Sequence, residues 1–176
     1  MHSLKFAAAT LATILGLATV PAQATVYQFT ATLTSAGEPV PTSLATGSAT
    51  FAFDDVALTV SVNETFAGIA GNMSGNHIHC CTATAGTGSV GVALNFTGLP
   101  TGTSGSYSNS FTLTSSAFSS LLAGAQAGTA YVNIHTPGTY AGGEIRGFLA
   151  AVPEPETYAL MLAGIGLLAL RRRALR

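Results

Sequence analysis

Val26-Tyr27-Gln28-Phe29-Thr30-Ala31-Thr32-Leu33 alternates apolar with mostly polar side chains. Because successive side chains of a β-strand point to opposite faces, this alternation predicts a strand with one buried face. Seven further runs have strand-like composition and are separated by turn signals: 47–53, 56–62, 76–80, 89–96, 110–114, 129–136 and 144–150. Short strands at this spacing predict an all-β fold, an antiparallel Greek-key sandwich.

One segment has the helical period instead. In residues 115–126 the large apolar side chains recur at i, i+3 and i+4, which predicts a single short helix capped by Ser115 or Ser116. Residues 101–109, ahead of the predicted strand 110–114, are mostly small and include Gly102 and Gly105, so we expect a flexible connection there.

Charge is scarce along the whole chain. Only 7% of the 176 residues are charged, against about 25% in typical globular domains, and the net charge is -1. Disordered chains and nucleic-acid-binding domains both need dense charge, so composition disfavours both classes. No phosphate-binding loop, serine–histidine–aspartate order or paired-carboxylate arrangement occurs, and no residue is predicted to be catalytic.

Residues 1–24 have the organisation of a secretory signal peptide. Lys5 supplies the positive start, residues 6–20 form an apolar core, and Ala22-Gln23-Ala24 is a small-x-small cleavage site. The apolar core is too short for a comfortable membrane span, so we expect signal peptidase to release a mature chain near Thr25. An uncleaved N-terminal anchor is the alternative.

Residues 152–176 contain Pro153-Glu154-Pro155, an apolar segment from 158 to 170, and Arg171-Arg172-Arg173. This order resembles the PEP-CTERM sorting signal of Gram-negative bacteria, in which a membrane exosortase removes the tail and the proteins are linked to exopolysaccharide or biofilm. The resemblance implies export to the cell surface, with transient anchoring in the inner membrane by a transmembrane segment. The arginines would stay on the cytoplasmic side. A permanent tail anchor is the alternative.

Three pieces of the middle of the chain, residues 25–151, resemble a CHRD domain, the module named after chordin. They are Gly47-Ser48-Ala49-Thr50-Phe51, His77-Ile78-His79, and the pair formed by Ala130–Thr136 and Gly143–Gly147, with sequences AYVNIHT and GEIRG. Their order and spacing match across residues 26–149. The resemblance implies an immunoglobulin-like β fold and supplies no firmly assigned activity.

The histidines of this middle segment all fall within those pieces. Residues i and i+2 of a strand share a face, so His77 and His79 project together, and His135 would join them if its strand lies nearby. Imidazoles that alternate on a strand are good ligands for copper or zinc. The arrangement loosely resembles Cu/Zn superoxide dismutase, although the zinc-loop histidines of that enzyme are missing. A copper or zinc site at His77, His79 and His135 is therefore one interpretation of these residues.

A hydrogen-bonded structural network is the interpretation that we prefer to metal binding at this place, and binding of another ligand without metal is the third. Strand parity puts Asn133 beside His135, and Glu144 beside Arg146, so these polar side chains are expected to converge with the histidines. Arg146 is the single base between residues 25 and 152. We expect it to be partly buried and paired with a carboxylate, either Glu144 or one of Asp54, Asp55 and Glu64.

Cys80 and Cys81 directly follow the second histidine. An even number of cysteines in an exported chain favours oxidation, which predicts a disulfide between these neighbours. Pairing between molecules, free thiols, and a role for Cys81 as a soft metal ligand are the alternatives.

Two functions from different classes follow from these observations. The first is a non-enzymatic surface or matrix protein, whose partners are signal peptidase, exosortase, the membrane before processing, and exopolysaccharide, with no nucleic acid. The second is a copper- or zinc-dependent redox protein with a dismutase-like histidine site.

Overall fold

A computed structural model describes residues 24–153, 161–163, 165 and 171. The predicted signal peptide, apart from Ala24, lies outside the described residues. So does most of the predicted sorting tail, including Glu154 and Pro155.

Five strands form the first antiparallel sheet, in the order β6-β3-β2-β1-β9. They are β1 Val26–Leu33, β2 Thr46–Asp54, β3 Thr59–Ala67, β6 Ser104–Thr112 and β9 Ala150–Ala151. In the register Phe29 lies opposite Phe51, which lies opposite Val62, and all three are buried. The apolar side chains of the predicted strand Val26–Leu33 therefore face the core at Phe29, Ala31 and Leu33.

Four strands form the second sheet, in the order β5-β4-β7-β8. They are β4 Gly75–His79, β5 Val92–Asn95, β7 Tyr131–His135 and β8 Ile145–Phe148. This sheet turns Ile78, Val132, Ile134 and Ile145 toward the first sheet, where all four are fully buried. Two antiparallel sheets around one core confirm the predicted β-sandwich.

The helix α1 spans Ser115–Gln126, as predicted, and closes one end of the core with Phe118 and Leu121. The Phe118 ring centroid lies 6.0 Å from that of Phe53. The predicted caps are wrong, because the N-cap is Thr114, whose hydroxyl accepts a hydrogen bond from the Ala117 amide at 3.3 Å. Thr114 has the extended backbone that an N-cap requires.

The flexible connection expected over residues 101–109 is wrong from Ser104 onward. There β6 pairs with β3 along its whole length. The strand lies at the edge of its sheet, and Tyr107 is its only buried residue. Its sequence therefore lacks the apolar alternation that marks a strand.

The strand predicted over residues 56–62 begins too early. The carboxylate of Asp54 accepts hydrogen bonds from the amides of Val56 and Ala57 at 3.0 and 2.7 Å, and these bonds hold a tight turn. Val56 is consequently 61% exposed, and β3 starts only at Thr59.

Candidate metal centre

The three predicted histidines lie on the face of the second sheet that points away from the core. His77 and His79 flank buried Ile78 on β4, and His135 ends β7. In the register His77 lies opposite Asn133, and His135 lies opposite Gly75. Strand parity and strand pairing therefore bring the three imidazoles to one place on the sheet.

The imidazoles form a compact cluster. The ring centroid of His77 lies 4.8 Å from that of His135 and 5.7 Å from that of His79, and the third separation is 6.1 Å. One ligand nitrogen from each histidine lies within 4.8 Å of the other two. Gly75 makes room for this packing, since a Cβ there would lie 2.6 Å from Cε1 of His77.

Each histidine has one buried ring nitrogen without a hydrogen-bond partner: Nδ1 of His77, Nε2 of His79 and Nε2 of His135. The other nitrogen of His79 donates to the Val90 carbonyl at 2.7 Å, and that of His135 donates to the Ala141 carbonyl at 3.0 Å. A carbonyl can only accept, so the proton sits on Nδ1 in both rings. The lone pair of each ring is then on its unpartnered Nε2, as a metal ligand requires.

The surroundings of His77 and His79 favour the neutral form of these two imidazoles. Burial lowers the pKa of His77 from its ordinary value of 6.5 to about 4, helped by the charged forms of His135 and His79. Burial also lowers the pKa of His79, opposed by its bond to the Val90 carbonyl and assisted by His135 and Arg146. Neutral imidazole is the form that binds a metal ion.

A stacked pair supports His79 on its other side. The Tyr131 ring is parallel to that of His79, with centroids 4.7 Å apart, and the guanidinium carbon of Arg146 lies 4.9 Å from the Tyr131 centroid. The Tyr131 hydroxyl accepts from the Val90 amide at 3.4 Å. The ring orientation of His79 is therefore held from two directions.

The comparisons with known proteins agree with the motifs. The family model of the CHRD domain matches residues 29–149, more than two thirds of the chain. The chain belongs to the CHRD family. The model of the PEP-CTERM protein-sorting motif matches residues 151–176, which marks this CHRD protein as an exported, exosortase-sorted protein. Comparisons with curated proteins and with solved structures give no match.

No helix among the described residues of the CHRD protein is long and apolar enough to cross a membrane. Most of the tail that was expected to do so lies outside those residues.

Arg146 of the CHRD domain is buried, at 8% exposure, but its expected partner is wrong. Its guanidinium donates to the carbonyls of Gly37 and Gly88 and to the Ser89 hydroxyl, the last two at 3.1 Å. Among the described residues none of its hydrogen bonds reaches a carboxylate. This arginine therefore ties loops together through their backbone.

Glu144 lies apart from Arg146 because β8 begins only at Ile145, so the strand parity does not extend to it. Its carboxylate accepts hydrogen bonds from the Ser43 hydroxyl at 2.8 Å, the Ala70 amide at 2.9 Å and the Thr136 hydroxyl. The expected convergence thus holds for Asn133 and Arg146, which are opposite each other in the register, and fails for Glu144.

The acid that sequence reasoning missed is Glu38, in the loop between β1 and β2. It is buried at 6% exposure and accepts a hydrogen bond from the Asn133 amide. Burial raises the pKa of Glu38 to about 7, against the opposing effects of Arg146 and Asn133. Side chains in a loop do not alternate between faces as they do in a strand, so periodicity could not show that Glu38 is buried. The sequence offered one indication, namely that Glu38 is an isolated acid in a charge-poor chain.

Cys80 and Cys81 are joined in a disulfide. Cys81 therefore has no thiolate to offer a metal, and the pair is not part of the histidine cluster. Both sulfurs lie against the backbone of α1 at Gly124, where a Cβ would overlap them.

Proposed function

We propose that this exported CHRD protein binds one copper or zinc ion through His77, His79 and His135. The observation that carries the proposal is the set of three buried, unpartnered ring nitrogens, one from each histidine. A hydrogen-bonded structural network would pair these nitrogens. Leaving them unpaired costs free energy that metal coordination would recover.

The distances fit an ion with small adjustments. Nitrogens that bind one ion tetrahedrally at about 2.0–2.1 Å lie about 3.4 Å from one another. One nitrogen from each histidine lies within 4.8 Å of the other two, so a movement of each ring nitrogen by less than about 1 Å closes the site. Neutral imidazoles suit both zinc and copper.

An equilibrium titration of the purified full chain with Zn²⁺ and with Cu²⁺ tests this proposal. We expect one ion per chain, and more than about 100-fold weaker binding in His77→Ala, because removing a ligand should cost more than removing an outer partner. Asn63→Ala is the matched control, since Asn63 is exposed on the other sheet. Equal affinity in wild type and His77→Ala would reject the site.

The wider role that we propose is non-enzymatic, as a metal-binding component of the extracellular matrix, in contact with exopolysaccharide. The sorting motif supports export and handling by exosortase. The scarcity of charge supports a surface that contacts its surroundings through hydroxyl groups rather than ion pairs.

A redox enzyme is the second candidate, because the histidines and Arg146 do lie on the same sheet face. Superoxide consumption by the copper-loaded full chain separates the two candidates. The non-enzymatic role predicts that the copper-loaded chain, after removal of unbound copper, consumes superoxide no faster than the copper-free chain.

A further inference from the structure

We propose that the disulfide between Cys80 and Cys81 controls the metal affinity of the histidine cluster, so that its reduction weakens binding. The proposal rests on the metal site proposed above and names the chemistry that regulates it. The reductant is an extracytoplasmic dithiol.

The first observation is the position of the disulfide in the chain. Cys80 directly follows His79, and the Cys80 amide donates to the Gly91 carbonyl at 3.4 Å. We call residues 82–91 the support loop. The disulfide therefore lies between the end of β4 and the start of the support loop, and the end of that loop returns to Cys80 at Gly91.

The second observation is what the support loop holds. Its Val90 carbonyl accepts the Nδ1 proton of His79, which fixes the lone pair on Nε2. Its Gly88 carbonyl and Ser89 hydroxyl accept from Arg146, which stacks on Tyr131 behind His79. A movement of this loop therefore changes the orientation of a proposed ligand.

The third observation is the absence of free space between the sulfurs and α1. Both sulfurs lie against Gly124, and the Ser120 carbonyl of α1 lies 3.8 Å from Sγ of Cys81. Bonded sulfurs are about 2.05 Å apart, whereas non-bonded heavy atoms prefer about 3.5–4.0 Å. Because α1 blocks one side, the two thiols have to separate away from α1. We expect the backbone of Cys80 to shift with them and to move the adjacent His79.

The redox step balances as an ordinary thiol–disulfide exchange. Cys81 is exposed, so a thiolate of the external dithiol can attack its sulfur and displace the thiolate of Cys80. The second thiol of the reductant then attacks the mixed disulfide. Two electrons and two protons end on Cys80 and Cys81, and the reductant leaves as its own disulfide.

The test compares Zn²⁺ affinity in the oxidised full chain and in the double variant Cys80→Ser/Cys81→Ser. Zinc undergoes no redox change, and the serines remove the disulfide without adding thiol ligands. We expect binding to weaken about tenfold or more, the usual effect of losing an outer partner of a ligand. Wild-type affinity in the double variant overturns the proposal.

Phosphine-reduced wild type gives a second readout in case the double variant does not fold. New thiols can only strengthen zinc binding, so weaker binding after reduction supports the control of affinity, and equal or stronger binding overturns it. Failure of the metal site itself has a different signature: oxidised wild type would then bind no zinc at all.

Discussion

At the scale of single residues, Arg146 is the charged side chain that we most expect to stabilise the fold. Its side chain bonds Gly37, Gly88 and Ser89 from within a buried site. We expect Arg146→Ala to lower the free energy of unfolding by about 3 kcal/mol, because it removes a buried guanidinium whose charge-assisted hydrogen bonds join two loops. Arg146→Lys should recover little, since one ammonium lacks the fork that reaches both loops. Urea melts measure both, and an Arg146→Ala loss below about 0.5 kcal/mol would contradict this role.

Glu64 gives the fold a pH dependence. It lies in the core, accepts a hydrogen bond from the Asn76 amide, and burial raises its pKa from 4.5 to about 7. Because the pKa of Glu64 is higher in the folded than in the unfolded chain, the stability contributed by its protonated carboxyl is complete below about pH 4.5. It is lost as the pH rises through 7.

Glu64→Gln should therefore gain stability relative to wild type as the pH rises from 5 to 8, by up to about 3 kcal/mol. Urea melts of both proteins across this range isolate Glu64, since Glu38 and the histidines are common to both. If the difference in the free energy of unfolding between the two proteins stays constant from pH 5 to 8, the carboxyl of Glu64 does not titrate in this range.

At the scale of elements, α1 depends on the absence of a side chain at Gly124. Alanine favours helices over glycine by about 1 kcal/mol, so Gly124→Ala would stabilise a free helix. Here a Cβ would overlap the sulfurs of Cys80 and Cys81, so we expect a lower thermal midpoint instead. Ala123→Gly, at an exposed neighbouring position, is the control and should cost only the helix preference. A Gly124→Ala midpoint at or above that of wild type would mean that the disulfide does not press on α1.

The elements also show why part of the site could be predicted. Strand parity is local, so His77 and His79 could be assigned to one face of β4, whereas His135 joins them through the pairing of β4 with β7. The partners that orient the rings, Val90 and Ala141, lie in loops and act through backbone carbonyls. Their side chains carry no signal, so sequence patterns could not identify them.

The edge strand of the first sheet shows which part of the fold could not be predicted from the sequence. A central strand such as β2 is apolar at alternate positions, whereas β6 has one neighbour and buries only Tyr107. Its assignment depends on pairing with β3, which is distant in the sequence. The partners of Arg146 likewise lie in loops that approach it only in the folded chain, so local periodicity could not predict them.

At the scale of the whole molecule, export determines where the proposed site acts. We expect the wild-type chain in the extracellular fraction and, in cells without exosortase, in the inner membrane with its tail intact. Immunoblots of cell fractions measure both. Identical distribution and identical mass in the two strains would contradict sorting through the C-terminal motif.

X-ray absorption at the zinc edge of the zinc-loaded full chain directly measures the ligands of an ion bound on the outer face of the second sheet. We expect three imidazole nitrogens at about 2.0–2.1 Å and no sulfur neighbour. A sulfur at about 2.3 Å, or a shell with no imidazole scattering, would contradict this expectation.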